Sequence, residues 1–389
     1  MLGKYLKKRI WPKSRRYVVR MDVHQLAERL ENLAAAATSE FDEAVKLEID
    51  SITDKAAEDL HRGLLSNLRD ILAEQRKFRH GFESRLRRGW QRALDIFDLV
   101  QALCLQFGAG FNDRRRPDAA ARQDVVFEAL TRLHGRACLT ASEIGALLRT
   151  GHATGAMARW RTLHELAVAM MFIAQHGQEV ARRYLEHQFV EMYHAAGRYQ
   201  EYCERLGEEP LSKEEIDDLR IRHDELIAKY GRQYAKDYGW AADALSPRKA
   251  TFAAIAESID MRHWSPYLRM ASDGVHAGPR GGFFDIGLHP AMDAIPASPS
   301  HFGLADPGAH ALVSLMQATI ALLNHGVSFE RDEHIDIPEG LVLISQMKTL
   351  EVLVDEGATA FSEAHRLSDE VSPSLSQPPR IWSSPTFAE

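Results

Sequence analysis

Residues 26–52, LAERLENLAAAATSEFDEAVKLEIDSI, decide the fold class. Their large apolar side chains recur at steps of three and four residues, first from Leu26 to Leu33 and again from Phe41 to Ile52. This spacing places the apolar side chains on one face of an α-helix. We therefore predict an amphipathic helix that runs from residue 24 to about residue 75.

The same periodicity continues outward through most of the chain. It predicts further helices over residues 80–107, 119–149, 155–206, 212–236, 247–258, 306–327 and 339–367. The alternation of apolar and polar residues that marks strands is never sustained for more than a few positions. The sequence thus predicts an all-α protein built as a multi-helix bundle.

Four parts of the chain differ in composition. We expect a basic N-terminal helical region over residues 1–115 and a helical domain over residues 116–330. A C-terminal helix over residues 331–367 is expected to pack on the bundle. Residues 368–389 are rich in Ser and Pro, a composition typical of disordered segments, so a disordered tail is predicted there.

The composition excludes several classes of protein. Three cysteines without a CxxC spacing exclude a disulfide framework and a four-cysteine zinc site, which favours a reducing, cytoplasmic compartment. The longest apolar run, residues 311–323, falls short of the about 18–20 residues that a membrane span needs, so no span is expected. The basic start of the chain lacks the apolar segment of a signal peptide.

The charge is distributed unevenly between the two halves of the chain. Residues 1–160 carry 28 basic and 21 acidic side chains, a net charge of +7, whereas residues 161–389 carry 20 and 34, a net charge of −14. Clustered Lys and Arg side chains neutralise phosphates, so RNA is one expected partner. An anionic membrane surface and a solvated arm are the other interpretations. The candidate phosphate contacts are Lys7, Lys8, Arg9, Arg15, Arg16, Arg85, Arg87 and Arg88.

A cation and an imidazole lie seven residues apart at Arg269 and His276. Seven residues are close to two helical turns, so both side chains are expected on one helix face. A histidine can transfer a proton near neutral pH, and an arginine can hold a phosphate through two hydrogen bonds. Such a pair could cleave a phosphodiester without a metal ion. Nearby Tyr267, Ser272 and Asp273 are candidate supporting residues.

Two further patterns lie in the helix predicted over residues 155–206. Arg161 and Glu165 are four residues apart, so they could form an ion pair or contact a ligand. His187, Glu191 and His194 share one helix face and include the Glu-x-x-His spacing of di-iron bundles. Nothing in the sequence marks the additional carboxylates that such a site requires. No metal and no cofactor are therefore predicted.

Four short motifs occur in a family-like order: GAMARWRTLHE at 155–165, RYL at 183–185, YGWA at 238–241 and YLRMASDGVHA at 267–277. Over residues 120–330 the chain resembles the bacterial domain-of-unknown-function 5677 family. The resemblance implies an all-helical domain.

The last of these motifs is similar to the Arg-x(4–6)-His motif of HEPN ribonucleases, a helical superfamily common in toxins and phage-defence systems. That likeness implies that Arg269 binds phosphate and His276 transfers the proton. It also implies a site shared across a homodimer, with Arg161 and Glu165 on a neighbouring helix. Gly274 lies inside the motif and weakens the helix on which the geometry depends.

Two functions stay open at this point. One is a metal-independent, HEPN-like endoribonuclease or nucleic-acid-acting effector in bacterial phage defence or toxin systems. The alternative is a non-catalytic helical binding or scaffold module that works with a partner protein or a ligand. Under the alternative, His276 and the Arg161–Glu165 pair form a buried polar network that fixes the register of the helices.

Overall fold

The computed structural model describes residues 41–283, 285–288, 297–327 and 337–370. Within these ranges the chain forms ten α-helices and no strand, which confirms the all-α prediction. The chain divides into two compact units, one of residues 86–376 and one of residues 1–85 with 377–389. Three predicted parts of the chain lie outside the described residues: the basic residues before position 24, the first part of the predicted helix at residues 24–40, and the tail beyond residue 370.

The helices follow one another with short connections. They are α1 (Phe41–Ser66), α2 (Leu68–Ala121), α3 (Val125–Arg149), α4 (Ala153–His176), α5 (Gln178–Leu206), α6 (Lys213–Tyr230), α7 (Phe252–Ser258), α8 (Ser265–Asp273), α9 (Ala305–Asn324) and α10 (Ile337–Glu370). Single 3₁₀ turns lie at Arg232–Ala235, Gly239–Ala241, Arg262–Trp264 and Pro279–Gly282.

Several predicted helix boundaries are wrong, among them the break expected between residues 75 and 80, which lies inside α2. The helix expected over residues 155–206 is two helices, because Gly177 takes a positive φ of 76° that ends α4 before α5 begins. The helix expected to end at residue 107 continues to Ala121, so glycines 108 and 110 lie inside α2. The predicted domain boundary at residue 115 also lies within this helix.

Helix α4 is the centre of the larger unit. It packs against α3, α5, α7, α8 and α9, and its buried side chains include Trp160, Leu163, Val168 and Phe172. A helix that is apolar on nearly every side is typical of the middle of a core. The side chains of α4 that remain accessible therefore lie at the few gaps between its neighbours.

Helix α9 joins the centre of the larger unit to α10. It packs against α3, α4 and α10. At Gly308 a Cβ atom would lie 2.4 Å from the ring of Phe361 on α10, so the absence of a side chain permits this close approach. Phe361 in turn meets Trp90 and Phe97 of α2, with ring centroids 6.1 and 6.4 Å apart.

Asp124 fixes the start of α3. Its side chain accepts hydrogen bonds from the Phe127 backbone N–H and from the Gln178 amide, and it lies 2.7 Å from His325 Nε2. Burial alone would raise the pKa of Asp124, but these donors hold it well below the ordinary value for a carboxyl. The cap of α3 thus also ties the helix to α5 and to the end of α9.

One helix among the described residues, α2, is long and apolar enough to cross a membrane by length and composition alone. Its most apolar 18-residue window has a mean hydropathy of 1.3, and a third of that window is buried inside the protein. Core helices of soluble proteins reach the same values, so the described residues give no strong indication of a membrane span.

Candidate ligand-binding cleft and the predicted Arg–His segment

The side chain of His187 stabilises the turn that follows α6. Its Nε2 atom lies 3.0 Å from the carbonyl oxygens of both Tyr234 and Lys236, and since carbonyls only accept, this nitrogen carries the proton. The Tyr234 hydroxyl donates to the Arg183 carbonyl at 2.6 Å. This hydrogen bond holds the turn against α5 as well. His187 is therefore a positioning residue. Among the described residues no group of three His, Cys, Asp or Glu side chains is arranged to hold a metal ion.

The turn can form only because residue 239 is glycine. A Cβ atom there would lie 2.2 Å from the Tyr234 carbonyl oxygen, closer than any side chain tolerates. The flanking Tyr238 and Trp240 are thereby directed back toward α4 and α5. The Trp240 ring meets Tyr184 edge-on at a centroid distance of 5.0 Å.

A cleft of about 300 Å³ opens between this turn and helices α3, α4, α5 and α7. Aromatic side chains form much of its wall: Tyr184, Tyr238, Trp240 and Phe252. Four charged side chains also line it: Arg136, Glu165, Glu191 and Asp237. Aromatic walls with a few converging polar groups are typical of small-molecule sites.

The cleft is negatively charged at neutral pH. Its lining holds three carboxylates and one guanidinium group. The His187 ring, 3.5 Å from Glu191, holds the pKa of that carboxyl below its ordinary value although partial burial opposes this shift. Burial raises the pKa of the Tyr238 hydroxyl, and the nearby charge of Glu165 raises it further. The surroundings therefore favour the charged form of Glu191 and the neutral form of Tyr238.

Several polar groups of the cleft have unused hydrogen-bonding capacity. Within the described part of the chain, the side chains of Arg136, Tyr184 and Tyr238 make no hydrogen bond or ion pair. Sequence reasoning did not identify any of the three as site residues. Tyr184 and Tyr238 belong to the RYL and YGWA motifs. The motifs therefore marked both tyrosines in the sequence, but they did not indicate a role for either.

The predicted Arg161–Glu165 pair is present and reaches a third helix. Arg161 Nε donates to Glu165 Oε1 at 2.8 Å, and its Nη1 donates to Ser272 Oγ on α8 at 2.7 Å. The Ser272 hydroxyl donates its own proton to the Leu268 carbonyl. This arginine therefore connects the cleft-lining Glu165 to the segment that carries the Arg–His motif.

The expectation that Arg269 and His276 share a helix face is wrong. Helix α8 ends at Asp273, and Gly274 caps it, so His276 lies in the turn beyond the helix. Gly274 also packs against α4, where a Cβ atom would lie 2.8 Å from Thr154 Cγ2. The weak helix propensity of this glycine and its contact with α4 together explain the end of α8.

The surroundings of the motif differ from the predicted network. Arg269 and His276 are both exposed, so His276 does not belong to a buried polar network with Arg161 and Glu165. The Tyr267 ring instead packs on His310 at a centroid distance of 4.3 Å. Asp273 Oδ2 lies 3.1 Å from Arg280 Nη1, close enough for an ion pair although not in hydrogen-bond geometry.

A layer of aromatic and imidazole rings lies beneath α8. Trp160 donates from Nε1 to the His310 carbonyl and to Ser314 Oγ, and its ring packs on His164 and Trp264. Burial lowers the pKa of His164 to about 4, so this ring is neutral at physiological pH. The layer is a structural support for the motif segment.

The predicted phosphate contacts are only partly described. Arg85, Arg87 and Arg88 are exposed on α2 and do not line the cleft. The other five, Lys7, Lys8, Arg9, Arg15 and Arg16, lie outside the described residues. Their role stays a prediction.

Taken together, the fold and the cleft define an all-helical domain with a small, acidic, aromatic pocket at its side. Residues 127–289 match a family described as a family of unknown function, DUF5677. The match confirms the resemblance that the four motifs predict, and every one of the eight cleft residues named above falls inside it. The chain matches no curated protein and no solved structure.

Proposed function

We propose that the DUF5677 domain of this protein is a non-catalytic, cytoplasmic binding module whose cleft takes a small organic ammonium compound. The cleft itself carries the proposal, because it joins aromatic walls to an excess of carboxylates. An ammonium group is attracted both by carboxylates and by the faces of Tyr and Trp rings.

The polar groups suggest how such a ligand lies in the cleft. Glu165, Glu191 and Asp237 would hold the ammonium end. Arg136 and the free hydroxyl of Tyr184, which lie near Glu191, would meet a polar group of the ligand. A volume of about 300 Å³ is at the small end of ligand pockets, which favours a compact ligand over a polymer.

Thermal unfolding with a matched pair of probes tests this proposal. Tyramine and 4-hydroxyphenylacetate have similar size and aromatic character but opposite charge. A ligand that binds only the folded state raises the melting temperature with its concentration, so tyramine should do so and the anion should not. Equal responses to both probes, or no response to tyramine and related amines at millimolar concentration, would overturn the proposal.

Charge-removing variants connect the response to the cleft. Glu165→Gln and Glu191→Gln should each weaken the tyramine response about tenfold or more. Glu201→Gln is the matched control, because Glu201 lies on α5 but does not line the cleft. A response that survives both cleft variants would place the bound amine elsewhere.

We propose a metal-independent ribonuclease as the second candidate function. The supporting observation is that Arg269 and His276 are exposed and form no side-chain hydrogen bond within the described residues, whereas His134, His164 and His187 are buried. Two free groups of this kind are available to a phosphate backbone. In this candidate the protein is a HEPN-like toxin or phage-defence effector, and the site is shared across a homodimer.

RNA cleavage in the presence of EDTA tests the second candidate. End-labelled RNA is incubated with the wild-type protein, with His276→Ala and with His263→Ala, and the thermal unfolding of all three is measured. Cleavage that His276→Ala alone abolishes, at unchanged stability, would support the ribonuclease. Absence of cleavage by the wild-type protein, or equal cleavage by all three proteins, would remove His276 from the reaction.

A further inference from the structure

The aromatic side chains of the cleft form the walls of a cage, which we define as Tyr184, Tyr238, Trp240 and Phe252. The Tyr184 and Trp240 rings are nearly perpendicular, with an interplanar angle of 87° and centroids 5.0 Å apart. The Tyr238 and Phe252 rings make an angle of 50° at a centroid distance of 6.5 Å. Neither pair is stacked, so the rings stand as separate walls instead of lying flat on one another.

The cage is held in shape by the protein itself. Phe172, a fully buried residue of α4, meets the Trp240 ring at a centroid distance of 5.7 Å and an angle of 78°. The turn that carries Tyr238 is fixed by Gly239 and by His187. A preformed site loses little conformational entropy on binding, so these contacts favour a ligand that fits the cage.

Two of the three cleft carboxylates already have a partner on the protein. Glu165 accepts a hydrogen bond from Arg161 Nε at 2.8 Å, and Glu191 Oε1 lies 3.5 Å from His187 Nδ1. Within the described residues, Asp237 is the one cleft carboxylate that forms neither a hydrogen bond nor an ion pair. A primary ammonium group has three N–H donors, and each one that leaves water needs a new acceptor. The cleft therefore supplies negative charge more fully than it supplies unoccupied acceptors.

The negative charge lies close to the cage. Burial raises the pKa of the Tyr238 hydroxyl, and the charges of Glu165 and Asp237 raise it further, so both carboxylates lie near this wall. Arg161 opposes this shift, which leaves two carboxylates against one guanidinium group at Tyr238. Coulomb attraction acts over several ångströms without a hydrogen bond. A cation in the cage would therefore be attracted by the ring faces and by the carboxylates at the same time.

We propose that the cleft binds a quaternary, N-methylated ammonium group in preference to a primary one. This inference rests on the proposed function and names the class of its ligand. A quaternary ammonium group has no N–H, so it needs no acceptor, and its methyl groups pack against aromatic faces. A primary ammonium group is compact and strongly hydrated, so it loses more on leaving water.

Calorimetric titration of the full chain with three probes that share one phenol and one linker tests the preference. Tyramine carries a primary ammonium group, N,N,N-trimethyltyramine carries a quaternary one, and 4-(3,3-dimethylbutyl)phenol has a carbon atom in place of the charged nitrogen. Trimethyltyramine should bind at least about tenfold more tightly than either of the others. The neutral probe separates the attraction of the charge from the burial of three additional methyl groups.

The outcomes distinguish this inference from the proposed function. Tyramine that binds as tightly as trimethyltyramine, or more tightly, would overturn the quaternary preference and leave the proposed function intact. A neutral probe that binds as tightly as trimethyltyramine would show that the charge of the ligand is not recognised, which overturns both. Absence of binding by all three probes at millimolar concentration would also overturn both.

Two substitutions at Tyr238 test the role of an aromatic wall. Tyr238→Phe keeps the ring and should bind trimethyltyramine nearly as tightly as the wild type. Tyr238→Leu removes the ring and should weaken the binding of trimethyltyramine about tenfold, while the affinity for the neutral probe changes much less. An equal loss for both probes would mean that the wall provides apolar contact only, which contradicts the proposal.

Phe252→Leu repeats this test on a second wall, and Tyr202→Leu is the matched control. Tyr202 is exposed on α5 and does not line the cleft, so its replacement should change the affinity for neither probe. Circular dichroism confirms that each variant is folded. If neither Tyr238→Leu nor Phe252→Leu selectively lowers the affinity for trimethyltyramine, the cage is not its binding site and the inference is wrong.

Discussion

The cleft and the Arg269–His276 segment adjoin the same helix, α4, and have opposite designs. In the cleft, charged groups from three helices and a turn converge around a concave, aromatic space. In the motif segment, two groups close in sequence are carried outward on a short helix and the turn that follows it. The polar atoms of the cleft converge on one concave space, whereas Arg269 and His276 are exposed to water. Convergence in space, and not spacing in sequence, distinguishes the two.

Glycine contributes to this difference in both places. Gly239 allows the turn to fold back on itself and bring Tyr238 and Trp240 to the cleft. Gly274 ends α8 and separates His276 from Arg269. The first glycine allows the cleft wall to form, and the second separates the two residues of the predicted pair.

The largest effect is expected from Gly239→Ala. The new Cβ atom would meet the Tyr234 carbonyl, so the turn must move, at a cost of about 1–3 kcal/mol in the free energy of unfolding. The tyramine response should be lost as well. Chemical denaturation and the probe titration measure the two effects.

Gly197→Ala is the matched control for this glycine. Gly197 lies within α5, and its Cβ atom would meet no atom within 4 Å. Alanine has the higher helix propensity, so this variant should be as stable as the wild type or up to about 1 kcal/mol more stable. A Gly239→Ala protein that resembles the control would contradict the assigned role of the turn.

Acid should destabilise the core that supports both regions. Burial lowers the pKa of His134 and of His164 to about 4, while the ordinary value for histidine is 6.5. Between these values the unfolded chain binds more protons than the folded one, so stability is complete above pH 6.5 and falls as the pH drops toward 4.

Thermal unfolding from pH 7.5 to pH 4.5 measures this dependence. His134→Gln should be less stable than the wild type at pH 7.5, because the hydrogen-bonded contact with Thr319 is lost, but its melting temperature should fall less steeply with acid. If the melting temperature of His134→Gln falls as steeply with acid as that of the wild type, His134 binds its proton at the same pH in the folded and the unfolded chain.

A smaller effect is expected where the two regions are joined. Ser272→Ala removes the acceptor of the Arg161 Nη1 hydrogen bond, at a cost of about 1 kcal/mol. Ser368→Ala, which removes a hydrogen bond within α10 only, should cost less. Chemical denaturation of both variants measures their free energies of unfolding. Equal stability of the two variants would mean that the hydrogen bond from Arg161 to Ser272 stabilises the fold no more than a hydrogen bond within one helix does.

The smallest effect is expected from His276→Ala. An exposed side chain without a partner contributes within about 0.5 kcal/mol to stability. Denaturation of the variant should therefore match that of the wild type. A loss of 1 kcal/mol or more would indicate that His276 is held in a contact, and the contrast between the two regions would then disappear.

Periodicity was sufficient to predict the helices, because amphipathic spacing is a local property of the sequence. It failed at Gly177, where a single positive φ divides one predicted helix into two, and at glycines 108 and 110, where packing maintains the helix. The Arg161–Glu165 pair was predictable because both residues belong to one helix.

The cleft was not predictable in the same way. Arg136, Glu191 and Asp237 come from three separate elements, and only the tertiary fold brings them together. The Arg269–His276 geometry failed for a related reason, since the spacing assumed a helix that Gly274 ends. The Glu191–His194 spacing is one that di-iron bundles use, and His187 on the same face instead bonds to the backbone of a turn.

Arg161 is the side chain that contacts both regions. It donates at once to Glu165, which lines the cleft, and to Ser272, which belongs to α8. Under the proposed function, a ligand that draws Glu165 away from Arg161 would change the strength with which Arg161 holds α8. By thermodynamic reciprocity, the docking of α8 must then change the affinity of the ligand by the same factor. In that case one guanidinium group would couple occupancy of the cleft to the docking of α8.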